Sequence, residues 1–230
     1  GTVDKVSDTF IDAYADPVEV DEDTIIQVLL PEDATGNVTV TIGNDTYTAP
    51  VEDGQAIVTV PGGLPAGEYE AEVAYSGDDK YEPAYLPVDV VVEKVPDAEI
   101  NATSEPAEYG SPAVIVVTLP EDATGVVVAD IDGELYAVNV ENGTAVIEVP
   151  GLEEGNYTAD VTYYGDDKYD PVSTEVDIEV INGLRITAPD VIKYYHGPER
   201  FVVYTTDYAG NPIDNITVKI KFCHAHTSSS

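Results

Sequence analysis

The feature that most constrains this chain is an internal repeat of domain size. Leu-Pro-Glu-Asp-Ala-Thr-Gly occurs at Leu30–Gly36 and again at Leu119–Gly125. Gly-Asp-Asp-Lys-Tyr occurs at Gly77–Tyr81 and Gly165–Tyr169. The first pair is offset by 89 residues and the second by 88, so one residue is lost between the motifs. It falls where Val60–Tyr75 is matched by Val149–Tyr163. Such a period exceeds the ~20–50 residues of a solenoid repeat and fits a whole small β-sandwich.

Each copy divides into seven short runs bounded by turn residues. In the first copy these predict strands over 10–15, 24–30, 37–42, 46–50, 55–60, 68–75 and 85–93. Alternation selects one face in both copies. Ile26, Val28 and Leu30 correspond to Ile115, Val117 and Leu119. Tyr69, Ala71, Val73 and Tyr75 correspond to Tyr157, Ala159, Val161 and Tyr163, and Val88, Val90 and Val92 to Val176, Ile178 and Val180. The residues between them are mostly Glu, Asp, Thr and Asn, as two sheets packed face to face require. The 43% hydrophobic content is rich in Val and Tyr, which suit a pleated surface, and the 16 Pro and 18 Gly are spread as strand punctuation. Leu64–Tyr69 and Leu152–Tyr157 each place a Tyr five residues after a Leu with Gly between them. This is the pattern of a tyrosine corner, whose hydroxyl bonds back to the preceding turn.

With these residues in view, the pattern Ala-Thr-Gly-x-Val-x-Val, then Leu-Pro-Ala-Gly-x-Tyr-x-Ala-x-Val-x-Tyr-x-Gly-Asp-Asp-Lys-Tyr, resembles the bacterial Ig-like repeat domains of large surface proteins. It is especially similar to the adhesin-like Ig-repeat proteins of methanogenic archaea. The resemblance covers residues 10–181 in two copies. It implies an all-β chain of tandem immunoglobulin-like sandwiches, displayed at an extracellular cell surface for adhesion or spacing, and it carries no catalytic residues.

The expected division is a leader over 1–9, domains over 10–95 and 96–183, a partial unit over 184–222 and a tail over 223–230. Leu184–Tyr195, Glu199–Asp207 and Gly210–Phe222 read as three strands that resemble the first half of another Ig-like repeat. Three strands leave an apolar face without a partner. Either the unit is truncated, or strands from a neighbouring subunit complete it by donor-strand pairing. The leader Gly1–Asp8 shows no counterpart in the repeat and is a candidate donor.

The net charge is −36, from 45 acidic and 9 basic residues. That field opposes nucleic acid and anionic membranes, and it would attract a divalent cation or a cationic partner. The plainer reading is a solvated coat that prevents aggregation. No apolar run approaches the ~18 residues of a membrane span, and no signal sequence is evident, so any export signal or anchor is expected outside this segment. The lone Cys223 excludes an intrachain disulfide.

Asn-x-Thr occurs at Asn37, Asn44, Asn101, Asn142, Asn156 and Asn215, six of the nine asparagines. The two copies do not share these positions, so duplication does not account for them. N-glycosylation of an exported protein is one reading; accidental sequons in Thr-rich strands is the other. The paired acids Asp78-Asp79 and Asp166-Asp167 are candidate Ca²⁺ ligands, but they lack EF-hand spacing and Gly-Asp-Asp is also turn chemistry. Cys223-His224-Ala225-His226 offers soft ligands in a Ser-rich tail and reads as tail rather than zinc site. Lys5, Lys94, Lys168 and Lys193 are formal candidates for a Lys–Asn isopeptide bond, without a motif that selects one. No phosphate loop, dinucleotide fingerprint or nucleophile elbow occurs, and no catalytic residue or cofactor is expected beyond that candidate Ca²⁺.

The expected function is that of a non-catalytic adhesive or stalk segment. Its partners would be copies of itself, neighbouring Ig-like domains, or a host-cell or surface glycan receptor. The alternatives are a pilus-like filament subunit joined by strand donation, and a carbohydrate-binding module presenting Tyr81, Tyr85, Tyr169, Tyr194 and Tyr195.

Overall fold

The computed structural model describes residues 1–182, 185–187, 204–206 and 210–213. The first repeat unit forms β1 (Asp12–Ala15), β2 (Val18–Glu19), β3 (Thr24–Leu29), β4 (Asn37–Ile42), β5 (Asp45–Pro50), β6 (Gln55–Val60), β7 (Gly67–Tyr75) and β8 (Ala84–Glu93). The second forms β9 (Asn101–Thr103), β10 (Ala107–Glu108), β11 (Ala113–Thr118), β12 (Val126–Ile131), β13 (Glu134–Asn139), β14 (Thr144–Val149), β15 (Gly155–Tyr163) and β16 (Val172–Ile181).

Each unit is two facing sheets with the same strand order. In the first, β1-β3-β6 faces β2-β8-β7-β4-β5; in the second, β9-β11-β14 faces β10-β16-β15-β12-β13. This is the immunoglobulin-like sandwich. Each buries its own core, and the two cores share no residue. Ile26, Val28, Val40, Val73 and Val90 are fully excluded from solvent in one, as are Ile115, Val117, Val127 and Val161 in the other.

The seven predicted strands of the first unit all form, within two residues of their expected ends. One element was not expected. After β1 the chain turns at Asp16-Pro17 and changes sheets, so that β2 pairs parallel with the end of β8 (Val18 opposite Val92). The second unit repeats the move after Glu105-Pro106, with Ala107 opposite Val180. Proline has no N–H to give to the first ladder, which is a place for the strand to leave it.

The leader differs from expectation. Residues 5–8 do have a counterpart: Lys5-Val6-Ser7-Asp8 corresponds to Lys94-Val95-Pro96-Asp97, sharing Lys, Val and Asp, at the same 89-residue offset. Val6 forms a parallel bridge with Tyr81 of its own unit, donating to the Lys80 carbonyl at 2.8 Å and accepting from Glu82 N–H at 3.0 Å. Val95 does the same with Tyr169, through Lys168 at 2.8 Å and Asp170 at 2.9 Å. Val95 also packs on the second core, so the first unit ends at Glu93 and not at residue 95.

Of the partial unit, β17 (Arg185–Thr187) and β18 (Tyr204–Thr206) pair antiparallel. Most of the residues expected to build it, and the whole tail with Cys223, His224 and His226, lie outside the described residues. So do Asn215, Lys193, Tyr194 and Tyr195.

Candidate functional site: the repeated loop and the domain junction

The two motifs that define the repeat meet in space. Asp78 lies in the loop between β7 and β8, and its carboxylate accepts four hydrogen bonds. Oδ1 takes the N–H groups of Lys80 (2.8 Å) and Tyr81 (2.7 Å). Oδ2 takes the N–H (2.8 Å) and the hydroxyl (3.1 Å) of Thr35 from the other motif. Asp166 repeats every contact with Lys168, Tyr169 and Thr124. The Thr35 N–H, followed by the other donors, holds Asp78 well below the usual carboxylate range. Burial raises Asp166, but the N–H groups of Thr124, Tyr169 and Lys168 outweigh it and leave it lowered. Gly36 permits the close fit: its φ is +100°, and a Cβ there would lie 2.8 Å from the Gly77 carbonyl oxygen.

A second carboxylate closes the same loop from outside. Asp33 accepts from the Lys80 ammonium at 2.6 Å and from the Tyr81 hydroxyl. Asp122 accepts from Lys168 at 2.7 Å and from Tyr169 at 2.5 Å. Both carboxylates are lowered, first by their lysine and then by their tyrosine.

Asp78 and Asp166 spend their oxygens on protein donors, which is turn chemistry, while Asp79 and Asp167 are exposed. Among the described residues no group of three or more His, Cys, Asp or Glu is gathered as a metal ion requires. Tyr81 and Tyr169 are buried in the two cores and cannot form an aromatic binding platform; Tyr85 is 70% exposed. Lys168 points its ammonium at carboxylates rather than at an asparagine amide. The tyrosine corners form as expected, with Tyr69 donating to the Pro65 carbonyl (2.5 Å) and Tyr157 to that of Glu153 (2.9 Å). Their rings sit half-buried at the rim of each core. The sequon residues Asn37, Asn44, Asn101, Asn142 and Asn156 are all exposed.

Lys168 has a further contact that Lys80 lacks. It reaches back to Asp21 of the first unit at 2.9 Å. The backbone places both groups. Val20 N–H bonds the Glu93 carbonyl at 2.9 Å, which fixes the Asp21 turn at the end of β8. Two residues later Val95 bonds Lys168, so turn and lysine flank Lys94. The Asp21 turn is seated on Gly62, where a Cβ would stand 2.3 Å from the Asp21 carbonyl oxygen, and Asp23 accepts the Gly62 N–H at 2.8 Å. Asp122 and then Asp21 raise the pKa of Lys168 above the ordinary lysine value. Sequence reasoning missed this pair, because nothing marks Asp21 among 45 acids.

No family model and no curated protein matches the chain. Among solved structures it is similar to the fibronectin(III)-like modules of CbhA from Clostridium thermocellum. That likeness has 16% identity and a TM-score of 0.33, covering 83% of this chain and 100% of that one. It is also similar to titin domains Z1Z2 in complex with telethonin (12% identity, 74% and 93% covered, TM-score 0.41). A third is titin A168169 (13%, 74% and 96%, TM-score 0.37).

Proposed function

We propose that this chain is a structural, adhesive segment of a cell-surface protein. Its immunoglobulin-like units act as a rod that spaces or presents a binding region outside the cell, without catalysis. The observation that carries this reading is the linker. Glu93 and Val95, on either side of Lys94, are each committed to backbone pairing with a different unit, and an ion pair crosses the same point. A spacer benefits from such a joint, since a free linker would leave the units independently oriented. The origin we propose is the archaeal or bacterial adhesin-like class, and the acidic coat supports exposure to solvent as an extended, non-aggregating protein.

Stretching single molecules tests the rod. Two separate unfolding events of similar length are expected, each releasing roughly 250–300 Å of chain. Extension without resolvable unfolding force would overturn the rod reading.

The exposed sequons support N-glycosylation as part of the same proposal. In protein isolated from its natural host, peptides spanning Asn37, Asn44, Asn101, Asn142 and Asn156 are expected to carry glycan mass on Asn. Bare peptides at all five would remove glycosylation from the proposal.

A further inference from the structure

The two copies of the repeated loop are a matched pair with one difference. Lys80–Asp33–Tyr81 and Lys168–Asp122–Tyr169 have the same hydrogen bonds, and their ammonium groups stand 5.3 and 5.4 Å from their own tyrosine rings. Each lysine carbonyl receives the valine of a Lys-Val-x-Asp lead-in. Yet the Lys168 side chain is 28% exposed and that of Lys80 is 59%, because only Lys168 carries an acid from another unit.

We infer that the leading face of the first unit, built from Lys80, Asp33 and the Lys5-Val6 lead-in, is a docking socket. It takes the acidic turn of another immunoglobulin-like unit joined end to end ahead of Lys5, as Asp21 is presented to Lys168.

Three observations specify the occupant. The socket offers a cation in a chain with only 9 basic residues, so an acidic partner is favoured. Its backbone half is already made, since Val6 holds the lead-in against Tyr81 as Val95 does against Tyr169. The occupant must also bring an acid at the Asp21 position. The second unit of this chain has Gly110 at the corresponding place in the repeat, with Tyr109 bonded to the Ile181 carbonyl as Val20 is to Glu93. The trailing end of a second, separate copy therefore fits poorly. The inference deepens the rod reading by naming what the first unit's leading face receives.

Lysine acylation of the full chain, read by mass spectrometry, tests it. A second carboxylate holds the ammonium in its charged, unreactive form, so Lys168 should react roughly 3- to 10-fold more slowly than Lys80. Asp21→Asn should bring Lys168 to the Lys80 rate. If it does not, Asp21 is not what distinguishes the two sockets and the inference fails. In a longer chain with a copy of residues 10–93 spliced ahead of Lys5, the Lys80 of the original unit should slow to the Lys168 rate. Asp21→Asn in the added copy should release it. An unchanged Lys80 rate beside a folded added unit would overturn the proposal. Slowing of Lys80 with concentration in the unextended chain would place the occupant on a separate molecule and overturn the end-to-end arrangement. None of these outcomes bears on the stretching result, so this inference and the rod reading fail separately.

Discussion

Replacing Tyr163 by alanine is expected to melt the second unit while leaving the first almost untouched. Among the described residues, Tyr163 and its counterpart Tyr75 are the largest side chains fully excluded from solvent, at 0% and 1% exposure. Each crosses its core and donates its hydroxyl to the carbonyl of the threonine that also binds the loop carboxylate, Thr124 and Thr35 respectively, at 2.6 Å. Truncation of such an aromatic leaves a cavity and costs ~3–5 kcal/mol. That is a large share of the ~5–15 kcal/mol that holds a domain of this size together. Tyr163→Phe keeps the packing but leaves the Thr124 carbonyl without its donor, a loss of ~1–3 kcal/mol. At ~4–8 °C per kcal/mol the alanine variant loses at least ~12 °C. Because the cores share no residue, calorimetry should resolve one lowered transition and one near its original temperature. Tyr75→Ala should reverse which transition moves. A single transition that shifts as a whole in both variants would show that the units fold as one, and would contradict the separation of their cores.

Much of this architecture was legible in the residues because it rests on local signals. Alternation over Ile26–Leu30 and Tyr69–Tyr75 defined both strand and face, since period 2 with one side buried fixes register. The Leu–Gly–Tyr spacing announced the tyrosine corners for a similar reason: the whole motif lies within six residues. What escaped was short or non-local. β2 and β10 have two residues each, too few for alternation to show. The lead-in at Val6 left only Lys, Val and Asp in common with Val95, although the shared 89-residue offset was there to be read. Both repeated motifs were visible, but not that Asp33 and Thr35 of one close on Lys80, Tyr81 and Asp78 of the other. Their interlock ties the two motifs together. The one-residue difference between copies was also visible and its meaning was not. It falls beside Gly62, the residue on which the Asp21 turn is seated, so the longer copy is the one that reaches its neighbour's lysine.

The same interlock sets the acid limit of the fold. Asp78 and Asp166 are depressed in the folded chain, as are Asp33 and Asp122, whereas in the unfolded chain an aspartate titrates near ~3.9. A depressed folded pKa contributes stability that is fully present above the unfolded value and is lost as pH falls through the folded one. These four groups therefore destabilise the protein only below about pH 4. Stability measured by urea unfolding should thus fall steeply once the pH drops below about 4. Asp78→Asn with Asp166→Asn isolates the loop carboxylates. An amide turns its own N–H toward one pair of donors, so each site should lose ~1.5–3 kcal/mol at pH 7. The steep fall below about pH 4 should shrink in the double variant, so that the two profiles draw together as the pH falls. Profiles that stay parallel below about pH 4 would mean that the loop carboxylates do not govern acid unfolding.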